Sequence, residues 1–170
     1  MQIAFRQATS GDAAPIWEIL KKAIARRKAE GSDQWQDGYP NPEVVARDIE
    51  NGYGYVLVDK DTDTIVGYCA LLINDEPAYE AIDGAWLTNG DFVVYHRVAI
   101  SEDYLGQGLA QQMMKSIEEY TRAKGIVSLR ADTNFDNQGM LRIFDKLGYV
   151  YCGEVDFRGA KRRAYEKLLQ

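Results

Sequence analysis

The sequence predicts a single mixed α/β domain over residues 1–170, and three observations carry that expectation. The length of 170 residues lies in the usual range of one domain. With 46% hydrophobic and 27% charged residues, 15 Gly and 4 Pro, the chain can build a core and resembles neither a disordered nor a collagen-like composition. Segments of period two and segments of helical period then succeed one another in the order β-α-α-β-β-β-α-β-α-β-β.

Gln2 to Gln7 alternates, with Ile3 and Phe5 on one side, as a short opening strand does. Ser10 or Asp12 is placed to cap a helix with Pro15 in its first turn, apolar Ile16, Ile19, Leu20, Ala23 and Ile24, and Gly31 as its stop. Its basic end, Arg26-Arg27-Lys28, suits solvent and the terminal carbonyls. The stretch from Ser32 to Pro40 is irregular and carries Trp35 and Tyr39. Asn41-Pro42-Glu43 opens a second helix with Val44, Val45 and Ile49 inward, and Gly52 ends it.

Tyr53 to Val58 and Ile65 to Ile73 are predicted strands joined by a hairpin at Asp61-Thr62-Asp63. Between Glu76 and Asn89, with Pro77, Tyr79 and Trp86, only a short helical turn is expected. Phe92 to Ile100 is a strand, and Gly106 to Lys124 is a helix with Leu109, Met113, Ile117 and Tyr120 on one stripe. A strand from Val127 to Ala131 and a helix from Asn137 to Leu147 follow. Strands at Tyr149–Val155 and Arg163–Leu168 close the chain.

Charge and composition exclude several functions. Twenty Lys and Arg against 26 Asp and Glu give a net charge of -6, the wrong sign for a general nucleic-acid binder. No signal-peptide pattern and no run of about 18 apolar residues occurs, so a cytoplasmic protein without a membrane partner is expected. His96 is the one histidine, and Cys69 and Cys152 match no zinc spacing; no metal is expected. The two thiols read as small buried hydrophobes.

The most informative stretch is Val98-Ala99-Ile100-Ser101-Glu102-Asp103-Tyr104-Leu105-Gly106-Gln107-Gly108-Leu109-Ala110. A strand leads through a glycine turn into a helix, whose first amides and dipole attract an anion. Leu109-Ala110 excludes a Walker loop, which needs Lys-Ser/Thr there, and Gln111 breaks the three-glycine dinucleotide fingerprint.

Leu105 to Ala110 resembles the acetyl-CoA motif of the GCN5-related N-acetyltransferases: strand, Arg/Gln-x-x-Gly-x-Gly/Ala, helix. Downstream, Asn137, Phe144 and Leu147-Gly148-Tyr149 resemble that family's second motif, and the element order is similar from end to end. The resemblance implies a mixed, mostly antiparallel twisted sheet flanked by helices, with acetyl-CoA as co-substrate. It implies that the backbone of Val98, Ala99 and Ile100 pairs with the pantetheine arm. The amides around Leu105, Gly106, Gln107, Gly108, Leu109 and Ala110 would hold the pyrophosphate, Asn137 would lie near the pantetheine and Phe144 near the acetyl sulfur. Two departures stand out. Leu105 replaces the usual Arg/Gln, and Phe144 replaces a tyrosine that commonly protonates the departing thiolate.

The implied activity is direct acetyl transfer to the primary amine of a small molecule in a ternary complex. Ile100 N–H is the expected oxyanion donor, and His96 the expected base, since only histidine titrates near neutrality unaided. Period two would put Val94, His96, Val98 and Ile100 on one face unless a bulge intervenes. Trp35, Tyr39 and Trp86 are the candidate walls of an acceptor pocket. Protein or peptide acetylation, and CoA binding without turnover, are the alternative functions, and the resemblance is compatible with a homodimer.

Overall fold

The computed structural model describes residues 1–170. Its strands are β1 (Ile3–Gln7), β2 (Gly54–Asp59), β3 (Thr64–Ile73), β4 (Asp83–Gly84), β5 (Val93–Ile100), β6 (Ser128–Thr133), β7 (Val150–Phe157) and β8 (Ala160–Leu168). The helices are α1 (Ala13–Ala29), α2 (Pro42–Glu50), α3 (Leu109–Ala123) and α4 (Gln138–Lys146). The strands form one sheet in the order β1-β2-β3-β5-β6-β8-β7-β4. β5 and β6 are parallel, whereas β1–β2, β2–β3, β6–β8, β7–β8 and β4–β7 are antiparallel. No helix is long and apolar enough to cross a membrane.

Residues group into two compact units. The first holds Met1–Leu71 and His96–Ile117, the second Leu72–Tyr95 and Glu118–Gln170.

In the first unit, local signals set the element ends. The Asn41 side chain accepts from Val44 N at 2.9 Å, and Pro42 sits where a helix needs no donor. Gly31 leaves α1 at φ +84°, with Ser32 N donating to Arg27 O at 2.9 Å. Gly52 ends α2 in the same way. The expected cap of α1 is corrected. Asp12 stands at the N-cap but makes no side-chain bond to the helix; its carboxylate accepts from Arg6 at 2.7 Å and Thr9 N at 2.7 Å. The core is built from α1 (Ile16, Leu20, Ala23), α2 (Val45), β2 (Val56) and β3 (Tyr68), and includes Trp35.

In the second unit β8 pairs with β6 from Ser128↔Leu168 to Thr133↔Arg163 and with β7 on its other edge. The expected helical turn is the 3₁₀ turn Pro77–Ala81. β4, which the sequence pattern does not mark, follows it. Its pairing depends on Gly84 and Gly153, because a Cβ on Gly84 would lie 2.1 Å from the Cys152 carbonyl oxygen. Tyr79, Val94, Val155 and Ala164 form the local core, with Trp86 and Phe92 packed against it. Cys69 and Cys152 are both buried and free, so no disulfide staples the chain.

Candidate active site

In the first unit, β5 ends at Ile100, a 3₁₀ turn covers Glu102–Tyr104, and the chain enters α3 through Gly106 and Gly108. Their φ values are +78° and +77°, a backbone region glycine enters without the Cβ penalty. A Cβ placed on either would meet nothing within 4 Å, so the turn has open space in front of it. Gln112 N donates to Gly108 O at 3.1 Å as the helix's opening bond. The amides of Leu109, Ala110 and Gln111 therefore lie before the helical ladder has a carbonyl for them. Leu105 is 47% exposed and Gln107 is exposed, whereas the Leu109 side chain is buried. Phosphate oxygens suit such a turn: donors and the positive helix end converge, and no side chain intervenes. The residues present fit the pyrophosphate of acetyl-CoA.

β5 supplies the remaining first-unit residues. Its parallel ladder with β6 pairs Val93 with Leu129 and Val94 with Arg130. Ala99 and Ile100 are buried, and Val98 is half-buried. Within the strand Arg97 adopts φ +55°, which breaks the two-residue alternation. The expectation that Val94, His96, Val98 and Ile100 share one face is therefore corrected. His96 is half-buried directly before this break.

A buried network that the sequence did not reveal holds the irregular Arg97 in place. Its Nε donates to Asp48 Oδ2 at 2.9 Å and its Nη2 to Asp48 Oδ1 at 2.7 Å, a bidentate pair. Nη1 donates to the Tyr39 hydroxyl, and the Tyr68 hydroxyl donates to Asp48 at 2.6 Å. Burial drives the Tyr68 phenol far above its ordinary range, and the adjacent Asp48 charge adds to that. Tyr39 is thus anchored to β5. Trp35 is 6% exposed, packed in the core with the Arg27 guanidinium 3.7 Å from its ring centroid. Its place is that of a core residue with a cation stacked on it.

Asn137 and Phe144 belong to the second unit. Asn137 caps α4, accepting from Met140 N at 3.1 Å. Phe144 is fully buried between Tyr149 and Tyr165, with ring centroids 5.0 and 4.6 Å away. The Tyr95 hydroxyl donates to that of Tyr149 at 2.9 Å, and burial raises both phenols.

Trp86, also in the second unit, lines a cavity of about 240 Å³. The cavity includes Arg130, whose guanidinium lies 4.4 Å from the Trp86 ring and 4.2 Å from that of Phe92. Arg130 faces Glu166, its register partner across β6 and β8, at 3.5 Å. Glu166 is fully buried and accepts from Leu87 N at 2.7 Å, Thr88 Oγ1 at 2.7 Å and Ser128 Oγ at 2.5 Å. Arg130 between the apolar Leu129 and Ala131 was a signal for one half of this pair; β8 is rich in charge, so Glu166 did not stand out in the sequence.

Neither cysteine is set up as a nucleophile. Burial pushes both thiols up, away from the reactive thiolate form.

Comparison with known proteins agrees with this geometry. The model of the acetyltransferase (GNAT) family matches residues 18–149. Over 162 residues the chain is 25% identical to the L-amino acid N-acyltransferase MnaT of Escherichia coli, covering 94% of this chain and 86% of that protein. It is 24% identical over 152 residues to the L-methionine sulfoximine/L-methionine sulfone acetyltransferase of Pseudomonas aeruginosa, covering 89% and 74%. A crystal structure of a GNAT-family acetyltransferase from Streptococcus agalactiae superposes with a TM-score of 0.90 at 35% identity, covering 99% of this chain and 96% of that one. With the strand–glycine turn–helix arrangement in place, the chain belongs to the GNAT family of acetyltransferases.

Proposed function

We propose that this protein transfers the acetyl group of acetyl-CoA to the primary amine of a small molecule, by direct attack within a ternary complex. The glycine turn at Gly106 and Gly108, opening onto the unpaired amides of α3, is the observation that carries it. Relatives named for L-amino acids and for methionine derivatives support a small acceptor over a protein.

In this reading the amides from Gly106 to Ala110 hold the pyrophosphate, and the main chain of Val98 to Ile100 lines the pantetheine arm. By resemblance to the family, Asn137 is assigned to the pantetheine and Phe144 to the acetyl sulfur. The acceptor ammonium, with an ordinary pKa near 10, must lose a proton before it attacks. His96 takes that proton, directly or through water. The amine nitrogen bonds to the thioester carbon, and Ile100 N–H donates to the oxyanion that forms. Collapse breaks the carbon–sulfur bond and releases the CoA thiolate, while the nitrogen gives up its second proton to solvent to leave the neutral amide. Phe144 has no proton to give, but a thiol of pKa near 8.5 leaves tolerably as its anion.

His96 provides the test of the proton step. His96→Ala is expected to lower turnover at neutral pH by about 10²- to 10⁴-fold, the usual worth of a general base. Acetyl-CoA affinity should change little. The deficit should shrink as pH approaches the amine's own pKa, since a neutral amine needs no base. A pH profile of kcat for both proteins decides it, and wild-type turnover at neutral pH in the variant removes His96 from the mechanism.

A further inference from the structure

We propose that Arg97 is a positioning residue: clamped between Asp48 and Tyr39, it fixes the backbone break that orients His96 against Ile100. Its effect on turnover rests on the acetyl-transfer function proposed above; its effect on the site's geometry does not.

Arginine gains nothing locally from φ +55° inside a strand, where its Cβ crowds the backbone. Such a conformation persists only where the surroundings over-determine it, and residues of this kind gather at functional sites. Here three elements supply the constraint. Asp48 of α2 accepts from Nε at 2.9 Å and from Nη2 at 2.7 Å, and this fork sets the plane of the guanidinium as well as its distance. Nη1 donates to the hydroxyl of Tyr39, in the segment before α2. Tyr68 of β3, fully buried, donates to Asp48 Oδ2 at 2.6 Å and so holds the carboxylate itself.

Stability alone is a weak reason for such a pair. The Arg97 and Asp48 side chains are 10% and 5% exposed, and removing two charges from water offsets most of their attraction. Apolar residues of similar volume often serve a core as well or better. What an apolar pair does not supply is direction, because only the fork fixes the guanidinium in one plane.

The place of Arg97 shows what that direction serves. His96 precedes it, and Ile100, the proposed oxyanion donor, ends the same strand. That end is fixed to β3: Ser101 N donates to Val66 O at 2.8 Å, and a Cβ on Gly67 would meet Ile100 Cδ1 at 3.1 Å. With Ile100 held by β3 and Arg97 held by α2, the twist at residue 97 sets where the imidazole stands relative to the Ile100 N–H. The Tyr39 arm ties the irregular segment to the same point.

Arg97→Lys and Tyr39→Phe test the clamp, because both keep the charge of the network. Lysine preserves the cation but has no planar fork to span Asp48 and Tyr39. Phenylalanine preserves the ring and removes the oxygen that accepts from Nη1. His96 is the one histidine of the chain, so its imidazole C–H signals can be followed by proton NMR without acetyl-CoA or acceptor. Both variants are expected to move those signals at fixed pH, Arg97→Lys by more. Turnover of Arg97→Lys, measured below its melting temperature with both substrates saturating, should fall about 10- to 100-fold, as a misplacement of about 1 Å does. Its acetyl-CoA KM should change by less than about threefold, since the turn at Gly106 and Gly108 is untouched. Tyr39→Phe should show a smaller loss in the same direction, and it carries the test alone if lysine unfolds the protein. Unmoved His96 signals in either variant overturn the positioning role. A lowered melting temperature with wild-type turnover does so too, since that marks a merely structural pair. Moved signals in a protein whose wild type releases no CoA thiol with a panel of primary amines leave the clamp standing and overturn the acetyl-transfer reading instead.

Discussion

Gly108→Val is expected to abolish the rise in melting temperature that acetyl-CoA confers on the wild-type protein. A ligand at 100 times its Kd stabilises the folded state by about 2.7 kcal/mol. For a chain of this size that is a shift of about 5–11 °C. Gly108 sits at φ +77°, so valine either holds a strained conformation, at about 1–3 kcal/mol, or turns the peptide and misaims the amides that follow it. Its side chain would also occupy the open ground before the turn, where a Cβ now meets nothing within 4 Å. Because that ground is empty, no clash destroys the fold, and the variant should melt cooperatively somewhat below wild type. Gly108→Ala should fall between the two. Thermal melts with and without acetyl-CoA check this, and an undiminished shift in Gly108→Val places the nucleotide elsewhere.

The second large effect concerns stability. Glu166→Ala should destabilise the protein by about 3–5 kcal/mol, because it strands the buried Arg130 charge. It also removes the acceptor of Leu87 N–H, Thr88 Oγ1 and Ser128 Oγ. The melting temperature should fall by about 6–20 °C. Glu166→Gln, with the same shape and one carbonyl oxygen, should lose less.

The pH dependence has a definite sign. Burial by itself raises the Glu166 pKa, but the hydrogen bonds from Ser128, Thr88 and Leu87 and the Arg130 charge outweigh it, so the net shift is downward. A carboxylate whose pKa is lower when folded stabilises above its unfolded pKa and loses that contribution as pH falls through the folded one. Wild type should therefore lose more stability than Glu166→Gln between neutral and acidic pH. Parallel acid-unfolding curves for the two would contradict this role.

Much of the fold was legible because its signals are local. Asn41-Pro42 and the glycines at 31 and 52 mark helix ends by side-chain and backbone chemistry confined to a few residues. The glycine turn was legible for the same reason. What was not legible depends on pairing between distant residues. β4 has two residues and no pattern, and it exists because Gly84 and Gly153 allow two backbones to meet. Arg130 and Glu166 become partners only through the β6–β8 register, 36 positions apart in sequence.

Asp48 lies on the same buried face of α2 as Val44 and Val45, and its partner Arg97 is 49 positions away in sequence. That contact is also what accompanies the broken alternation of β5 beside His96. Trp35 shows the limit from the other side. An aromatic in an irregular segment read as pocket wall, whereas packing put it in the core under Arg27.

The most direct test of acetyl transfer by direct attack is an initial-rate matrix, varying acetyl-CoA and a small primary amine together while following free CoA thiol. Direct attack in a ternary complex requires both substrates bound before product leaves, so double-reciprocal plots should intersect. Parallel lines would instead mark a covalent acetyl-enzyme, for which the buried thiols of Cys69 and Cys152 are poorly set up, and would contradict the account.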